Sequence, residues 1–156
     1  MALYYLDSSA VVKLYQPEAG SQEVERIVSE PGSVRVMSRL ALVEVQRALC
    51  RRLRVQDISE SELDDLRRGF YEDVLRRRIR VKPLQDHHYR AAVRLIRKYA
   101  PALRPPLPLP RTLDALHLVS ALEVQQQESL DYFVSSDANL CQIAQEEQLS
   151  VINPTL

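Results

Sequence analysis

Short apolar segments rich in β-forming residues alternate with longer segments of helical periodicity along the 156-residue chain. Most of the short segments lack a polar face, which is typical of strands buried on both sides of a parallel sheet. Strand and helix in alternation require right-handed crossovers that place helices on both faces of the sheet. The sequence therefore predicts an α/β fold, a three-layer α/β/α sandwich with a central, mainly parallel sheet of about five strands. The strands are predicted at about residues 3–7, 34–37, 79–82, 132–136 and 150–153.

Helices are predicted between these strands, and several of them have a capping residue at the start. Ser38, Ser59 and Thr112 stand at expected N-cap positions, and Glu62 completes a capping box with Ser59. The segment 101–110, PALRPPLPLP, contains five prolines and is predicted to be a stiff, extended connector. We expect one domain, residues 1–156, with a helical segment at about 38–76. The predicted helices cover about residues 8–15, 21–30, 38–54, 59–76, 86–99, 112–126 and 137–147.

Composition excludes several classes of protein. Apolar residues make up 46% and charged residues 27% of the chain, which is close to globular averages. No apolar run approaches the ~20 residues of a membrane span, and the N-terminus lacks the features of a signal peptide, so we expect a cytoplasmic protein. The formal net charge is zero, which removes the usual electrostatic indication of nucleic-acid binding. Cys50 and Cys141 lack metal-binding spacing and are expected to be small buried residues.

Two acidic residues stand where predicted strands end. Asp7 follows the first strand and Asp137 follows the fourth, and open α/β sheets bind ligands beyond the carboxyl ends of their strands. Each of these residues also precedes a predicted helix, where an aspartate is a good N-cap. The placement therefore fits a shared metal site, and it fits simple helix capping equally well.

Two further acidic residues fall on apolar faces of predicted helices. Glu44 lies well inside its helix, on or beside the apolar stripe, where capping cannot explain it. Asp114 repeats the pattern in RTLDALHLVSAL, although its first-turn position also suits the helix dipole. An unpaired carboxylate that faces a core costs several kcal/mol, and no obvious lysine or arginine shares either face. Clustered oxygen ligands suit Mg²⁺ or Mn²⁺ rather than zinc. The stripe predicted beside Glu44 consists of Leu40, Val43 and Ala48.

Four segments of the chain together resemble the acidic motifs of the PIN domain family. They are LDSSAVVKL, SRLALVEVQRAL, RTLDALHLVSAL and FVSSDANL, and their order and intervals also fit. Within that family the chain is most similar to the VapC-like toxins of bacterial toxin-antitoxin pairs. The resemblance implies an endoribonuclease that hydrolyses phosphodiester bonds of single-stranded RNA with one or two Mg²⁺ or Mn²⁺ ions. It also implies a cognate antitoxin partner and is compatible with a homodimer.

The resemblance assigns roles to individual residues. The hydroxyl residues of the family motifs match Ser9 and Ser135, which are expected to orient carboxylates or to hold a metal-bound water. The family's catalytic and metal-binding acids fall on Asp7, Glu44, Asp114 and Asp137.

Basic and histidine side chains near the motifs give less specific signals. Arg39, Arg47 and Arg111 are candidates for contact with RNA, but each also fits a solvated helix face. His117 shares a face with Asp114, and a lone histidine in an apolar helix is either a hydrogen-bonded core residue or a group that supports a site.

Competing functions differ in what they require of the motifs. A haloacid dehalogenase-type phosphotransferase needs a second aspartate two residues after the first, where this chain has Ser9. A response-regulator receiver needs an acidic pair after its first strand, which is absent here. A catalytically inactive PIN-like module, whose acidic site receives a basic segment of a partner protein, remains open. The acids at all four positions favour the enzyme, because core-facing carboxylates are costly to retain.

Overall fold

A computed structural model describes residues 1–101 and 107–156 of the chain. Within these residues, one five-stranded sheet is formed in which all neighbouring strands are parallel. The strands are β1 (Leu3–Leu6), β2 (Val34–Ser38), β3 (Arg80–Lys82), β4 (Tyr132–Val134) and β5 (Val151–Ile152). Their order across the sheet is β3-β2-β1-β4-β5. Because β1 lies between β2 and β4, the residues that follow β1 and β4 are neighbours at the carboxyl edge.

Helices cover both faces of the sheet. In the described part of the chain they are α1 (Ser8–Val12), α2 (Ser21–Ser29), α3 (Leu40–Arg54), α4 (Glu60–Leu75), α5 (Asp86–Tyr99), α6 (Thr112–Glu128) and α7 (Ala138–Glu146). The helical segment predicted at 38–76 therefore consists of α3 and α4. The proline-rich connector predicted at 101–110 lies in part outside the described residues, since 102–106 are not described. No helix in the described ranges is long and apolar enough to cross a membrane.

Alternate residues of the central strands supply two separate cores. Tyr5, Val36 and Phe133 pack with residues of α5, α6 and α7 on one face. Leu6, Met37 and Val134 pack with residues of α1, α2, α3 and α4 on the other. Successive side chains of a strand point to opposite faces, so strands covered on both sides are apolar throughout. The predicted three-layer α/β/α fold with a parallel sheet is confirmed.

The predicted helix starts are partly correct. Ser59 caps α4 in a full capping box with Glu62, as predicted. Ser38 is not an N-cap, because it is still paired with Lys82 in the sheet, and Arg39 precedes α3 instead. Thr112 is the first helical residue of α6, since the extended N-cap backbone belongs to Arg111.

The predicted apolar stripe of α3 is wrong. Val43 is 72% exposed, and the helix is turned so that a different set of apolar residues faces the core. Apolar residues occur on more than one face of this helix, so periodicity alone did not identify the buried one. Cys50 is exposed, contrary to prediction, whereas Cys141 is buried as predicted. The buried residues of α3 are Ala41, Val45 and Leu49.

Candidate active site

Asp7 lies at the junction of β1 and α1 and is buried. Its Oδ1 accepts hydrogen bonds from the Ser9 hydroxyl at 2.6 Å and from the Ala10 amide at 3.0 Å. Its Oδ2 accepts one from the Ser135 hydroxyl at 2.7 Å. The Asp7 amide donates to the Val134 carbonyl at 3.1 Å, which ties the residue to the end of β4. Asp7 therefore caps α1 and is also held by hydroxyls from two different motifs.

Burial is the main influence on the pKa of Asp7 and raises it above its ordinary value. The hydrogen bond from Ser9, the proximity of His117 and the hydrogen bond from Ser135 act in the opposite direction. The ionised form of a buried carboxylate is costly unless a cation or hydrogen-bond donors compensate for the lost solvation. A cation near Asp7 would therefore stabilise its ionised form.

Asp137 also combines helix capping with other contacts. Its Oδ1 accepts from the Leu140 amide at 3.0 Å, which caps α7. Its own amide donates to the Ser135 hydroxyl oxygen at 3.1 Å, and that hydroxyl in turn donates to Asp7. Ser135 thus connects the two aspartates that follow β1 and β4. Asp7 and Asp137 therefore both cap helices, and each carboxylate keeps lone pairs that other partners can use.

Arg111 connects Asp114 to Asp137. Its Nε donates to Oδ2 of Asp114 at 2.7 Å, and its Nη2 donates to Oδ2 of Asp137 at 2.6 Å. The hydrogen bond and charge of Asp114 raise the pKa of Arg111, and Asp137 and Glu44 add to the effect. No cationic partner was predicted for Asp114, although Arg111 stands three residues before it and within reach on the same helix end.

Glu44 reaches across to α6. Its Oε2 lies 2.6 Å from Nε2 of His117, a side chain that is buried, while the Glu44 side chain itself is 23% exposed. His117 is three residues after Asp114, so this bond brings α3 to the part of α6 that carries Asp114. The partner that the core-facing glutamate was expected to need is therefore a histidine of the protein itself.

The four predicted acidic residues do not contact one another directly, and hydrogen bonds to other side chains connect them. One chain of bonds runs through Asp7, Ser135, Asp137, Arg111 and Asp114, and another joins Glu44 to His117. Beside them a cleft of about 410 Å³ is lined by Ser9, Glu44 and Arg47, among others. Within residues 1–101 and 107–156, one group of three side chains has potential metal-ligand atoms that all lie within 4.8 Å of one another. This group is at a different place and consists of His87, His88 and Glu123.

His87, His88 and Glu123 connect α5 to α6 through hydrogen bonds. Glu123 accepts from His87 at 2.6 Å and from His88 at 2.9 Å, and Lys82 lies 2.8 Å away. Burial opposes ionisation of Glu123, but these three partners outweigh it and lower its pKa to about 2. The Gln85 amide donates to Nδ1 of His88 at 3.0 Å, so Nε2 carries the proton of the neutral ring. A metal at Nε2 would require this cap of α5 to break.

Comparison with known proteins identifies the family. The family model described as PIN domain matches residues 4–146. Ribonuclease VapC45 of Mycobacterium tuberculosis (strain CDC 1551 / Oshkosh) is 36% identical over 126 residues, which are 80% of this chain and 78% of the relative. The chain therefore belongs to the PIN domain family and is VapC-like, as its four motifs predicted.

Two solved structures share the fold at low sequence identity. The toxin VapC20 of Mycobacterium tuberculosis, described as cleaving the sarcin-ricin loop, has a TM-score of 0.62 at 14% identity and covers 88% of this chain and 92% of its own. VapBC2 from Rickettsia felis, bound to a DNA fragment from its promoter, has a TM-score of 0.60 at 12% identity and covers 96% of this chain and 97% of its own. At such identities these likenesses establish the architecture alone.

Proposed function

We propose that this protein is a divalent-metal-dependent endoribonuclease that hydrolyses single-stranded RNA, the toxin component of a toxin-antitoxin pair. The observation that carries the proposal is the buried Asp7, whose two carboxylate oxygens are held by hydroxyls of Ser9 and Ser135 from two separate motifs. Helix capping requires only the bond to Ala10 and does not account for the other two. A relative at 36% identity that is named a ribonuclease supports the same activity.

The residues present fit Mg²⁺ or Mn²⁺. The donor set is made of carboxylate oxygens, which hard divalent cations prefer. A guanidinium already lies between Asp114 and Asp137, so the electrostatic field there favours a cation. We assign Asp7, Glu44 and Asp114 as ligands of the principal ion, with Asp137 as a ligand of a second ion or as the group that orients water. A bound divalent ion supplies a water-derived nucleophile at neutral pH and offsets charge on the phosphate.

The protein's own residues then hold and orient the reacting groups. Ser9 and Ser135 keep the Asp7 carboxylate in one orientation. If Asp114 and Asp137 bound a metal ion, Arg111 would release them, and its guanidinium would be free to contact an RNA phosphate. Arg47 lines the adjacent cleft, and we expect it to contact the RNA backbone. Arg39 lies next to α3 and is a further candidate.

We extend the proposal to a cognate antitoxin, since the solved neighbour VapBC2 is a complex of this kind. The expected antitoxin segment carries an arginine or lysine that pairs with the same carboxylates as Arg111 does in the free chain. Association as a homodimer, a cytoplasmic location and organisation as one domain over residues 1–156 belong to this proposal as well.

The inactive binding module is the second candidate, and one observation favours it. Asp7, Glu44, Asp114 and Asp137 each have a hydrogen-bond partner within the protein, so none of them needs a metal to be satisfied. A module of this type would bind a basic partner segment without binding Mn²⁺. Metal titration by calorimetry in the absence of RNA separates the two candidates.

The experiment for the nuclease is cleavage of end-labelled single-stranded RNA by the purified protein. We expect cleavage with Mg²⁺ or Mn²⁺, none with EDTA, and none by Asp114→Asn. The control Asp64→Asn changes an exposed carboxylate on α4 and should cleave like the wild type. Cleavage that survives exhaustive chelation would contradict the metal mechanism, and absence of both cleavage and Mn²⁺ binding would favour the binding module.

A further inference from the structure

His117 connects the two helical layers at the carboxyl edge of the sheet. It lies on α6, whose core residues pack on one face, whereas its partner Glu44 lies on α3, which packs on the other. The imidazole is buried, and Nε2 lies 2.6 Å from Oε2 of Glu44. This bond therefore crosses the edge of the sheet and joins two of the four acidic motifs.

The donor in this bond is the histidine. A glutamate that ligates metal is ionised and only accepts hydrogen bonds, so Nε2 must carry the proton. The described residues form no other hydrogen bond to the Glu44 side chain, so Oε1 keeps its lone pairs. The histidine thus restrains a side chain with three rotatable bonds while leaving one oxygen available as a ligand.

Tyr5 lies on the other side of the imidazole. Its hydroxyl is 3.5 Å from Nδ1 of His117, and the two rings meet edge to face with centroids 6.5 Å apart. Burial raises the pKa of Tyr5, which keeps its hydroxyl protonated and able to donate. The Tyr5 hydroxyl can donate to Nδ1 or accept from it, and it donates in the tautomer whose proton is on Nε2, where Glu44 accepts that proton.

We propose that His117 is a positioning residue, which holds Glu44 in its metal-binding orientation through Nε2–H, and that the Tyr5 hydroxyl selects the required tautomer. The inference rests on the proposed function, because it assigns His117 a role toward the metal ligand Glu44. A histidine that served only the core would affect folding without affecting metal affinity.

The test measures Mn²⁺ affinity without RNA, by calorimetry, together with RNA cleavage. His117→Phe keeps an aromatic ring but removes the donor, and it should lower Mn²⁺ affinity at least tenfold. His117→Gln keeps an N–H donor and should restore most of the affinity. Tyr5→Phe should weaken Mn²⁺ binding less than His117→Phe does. If His117→Phe does not fold, His117→Asn takes its place, because its shorter amide ends near the position of Nδ1 and removes the donor to Glu44.

His88→Phe is the matched control. His88 is also buried and also donates from Nε2 to a glutamate, but it lies between α5 and α6, away from the motifs. This variant should lower the melting temperature and leave Mn²⁺ affinity unchanged. If His117→Phe likewise changes stability alone, His117 is a core residue and the proposal is overturned, while the nuclease assignment stands. If the wild type binds no Mn²⁺, the proposed function itself fails, and the role of His117 fails with it.

A spectroscopic measurement on the metal-free wild type tests the tautomer directly. Nitrogen-15 NMR of the imidazole rings, with His117→Gln used for assignment, should show the His117 proton on Nε2 and a bare Nδ1. A proton on Nδ1 of a neutral ring would overturn both the donor role of His117 and the role given to Tyr5.

Discussion

At the scale of single residues, Asp7 performs two tasks that are usually treated as alternatives. It caps α1 through the Ala10 amide, and it is also bound by Ser9 and Ser135, which capping does not require. Burial raises the pKa of Asp7 in the folded protein above its value in the unfolded chain. Ionisation of Asp7 therefore lowers the stability of the fold, and this loss develops as pH rises from the unfolded-state pKa to the folded-state pKa. At neutral pH the charge of Asp7 is therefore a cost to the metal-free protein.

Replacement of this charge gives the first prediction. Asp7→Asn keeps a capping oxygen and should leave metal-free stability unchanged or raise it, while it abolishes cleavage and most of the stabilisation by Mn²⁺. Asp7→Ala should lose about 0.5–2 kcal/mol of stability with the cap. Thermal melts of the three proteins with and without Mn²⁺ measure these effects. An Asn variant that still cleaves RNA and gains full stability from metal would remove Asp7 from the site.

Arg111 is expected to compete with metal in the free protein. Arg111→Ala should bind Mn²⁺ several-fold more tightly, because Asp114 and Asp137 then have no guanidinium to release. Cleavage of RNA should nevertheless fall, since a phosphate contact is lost. The exposed ion pairs contribute only about 0–1 kcal/mol, so stability should change little.

Calorimetric titration with Mn²⁺ measures this competition. Arg68→Ala, which breaks an exposed pair with Asp65 on α4, is the matched control and should bind Mn²⁺ like the wild type. Equal Mn²⁺ affinities of Arg111→Ala and the wild type would show that the guanidinium does not oppose metal binding.

At the scale of secondary-structure elements, Glu123 of α6 connects this helix to α5 through hydrogen bonds. Its side chain is 20% exposed and accepts from His87 and His88, and Lys82 pairs with it from β3. The two histidines are adjacent in sequence and were not singled out by sequence analysis, because their shared acceptor lies on another helix. Their arrangement stabilises the layer that carries Asp114 and His117.

The depressed pKa of Glu123 predicts a specific acid sensitivity. A lowered folded-state pKa contributes stability that is present above the ordinary value of 4.5 and is lost as pH falls toward about 2. Glu123→Gln should therefore cost on the order of 2–3 kcal/mol at pH 7, and the difference from the wild type should shrink at low pH. Urea unfolding at several pH values measures it. A pH-independent difference, or an equal loss in the control Glu128→Gln on the same helix, would contradict this role.

At the scale of the whole molecule, the proposed toxin activity predicts a growth phenotype that depends on the site. Expression in a bacterial host should slow growth, and co-expression of an adjacent small gene that encodes an antitoxin should relieve it. Asp114→Asn, expressed at the same soluble level, should be harmless. Toxicity that persists in this variant would point to a cause other than RNA cleavage, and harmless wild-type expression would favour the binding module.

The sequence by itself determined the architecture and the candidate site residues. Buried parallel strands are apolar on both faces, and helices repeat every 3.6 residues, so local patterns located the five strands near their final bounds. The four acidic motifs were recognisable because each is a short local segment. Asp7 and Asp137 could also be placed at one edge, since parallel strands share their carboxyl edge.

Only the tertiary structure decided which partners the acidic side chains have. The bond from His117 to Glu44 spans 73 residues of sequence, and the bond from Arg111 to Asp137 spans 26. The buried face of α3 was likewise chosen by packing, because its sequence offers more than one apolar stripe. Such pairings depend on how helices are rotated and docked on the sheet, and side chains distant in sequence carry no periodic signal of their contact.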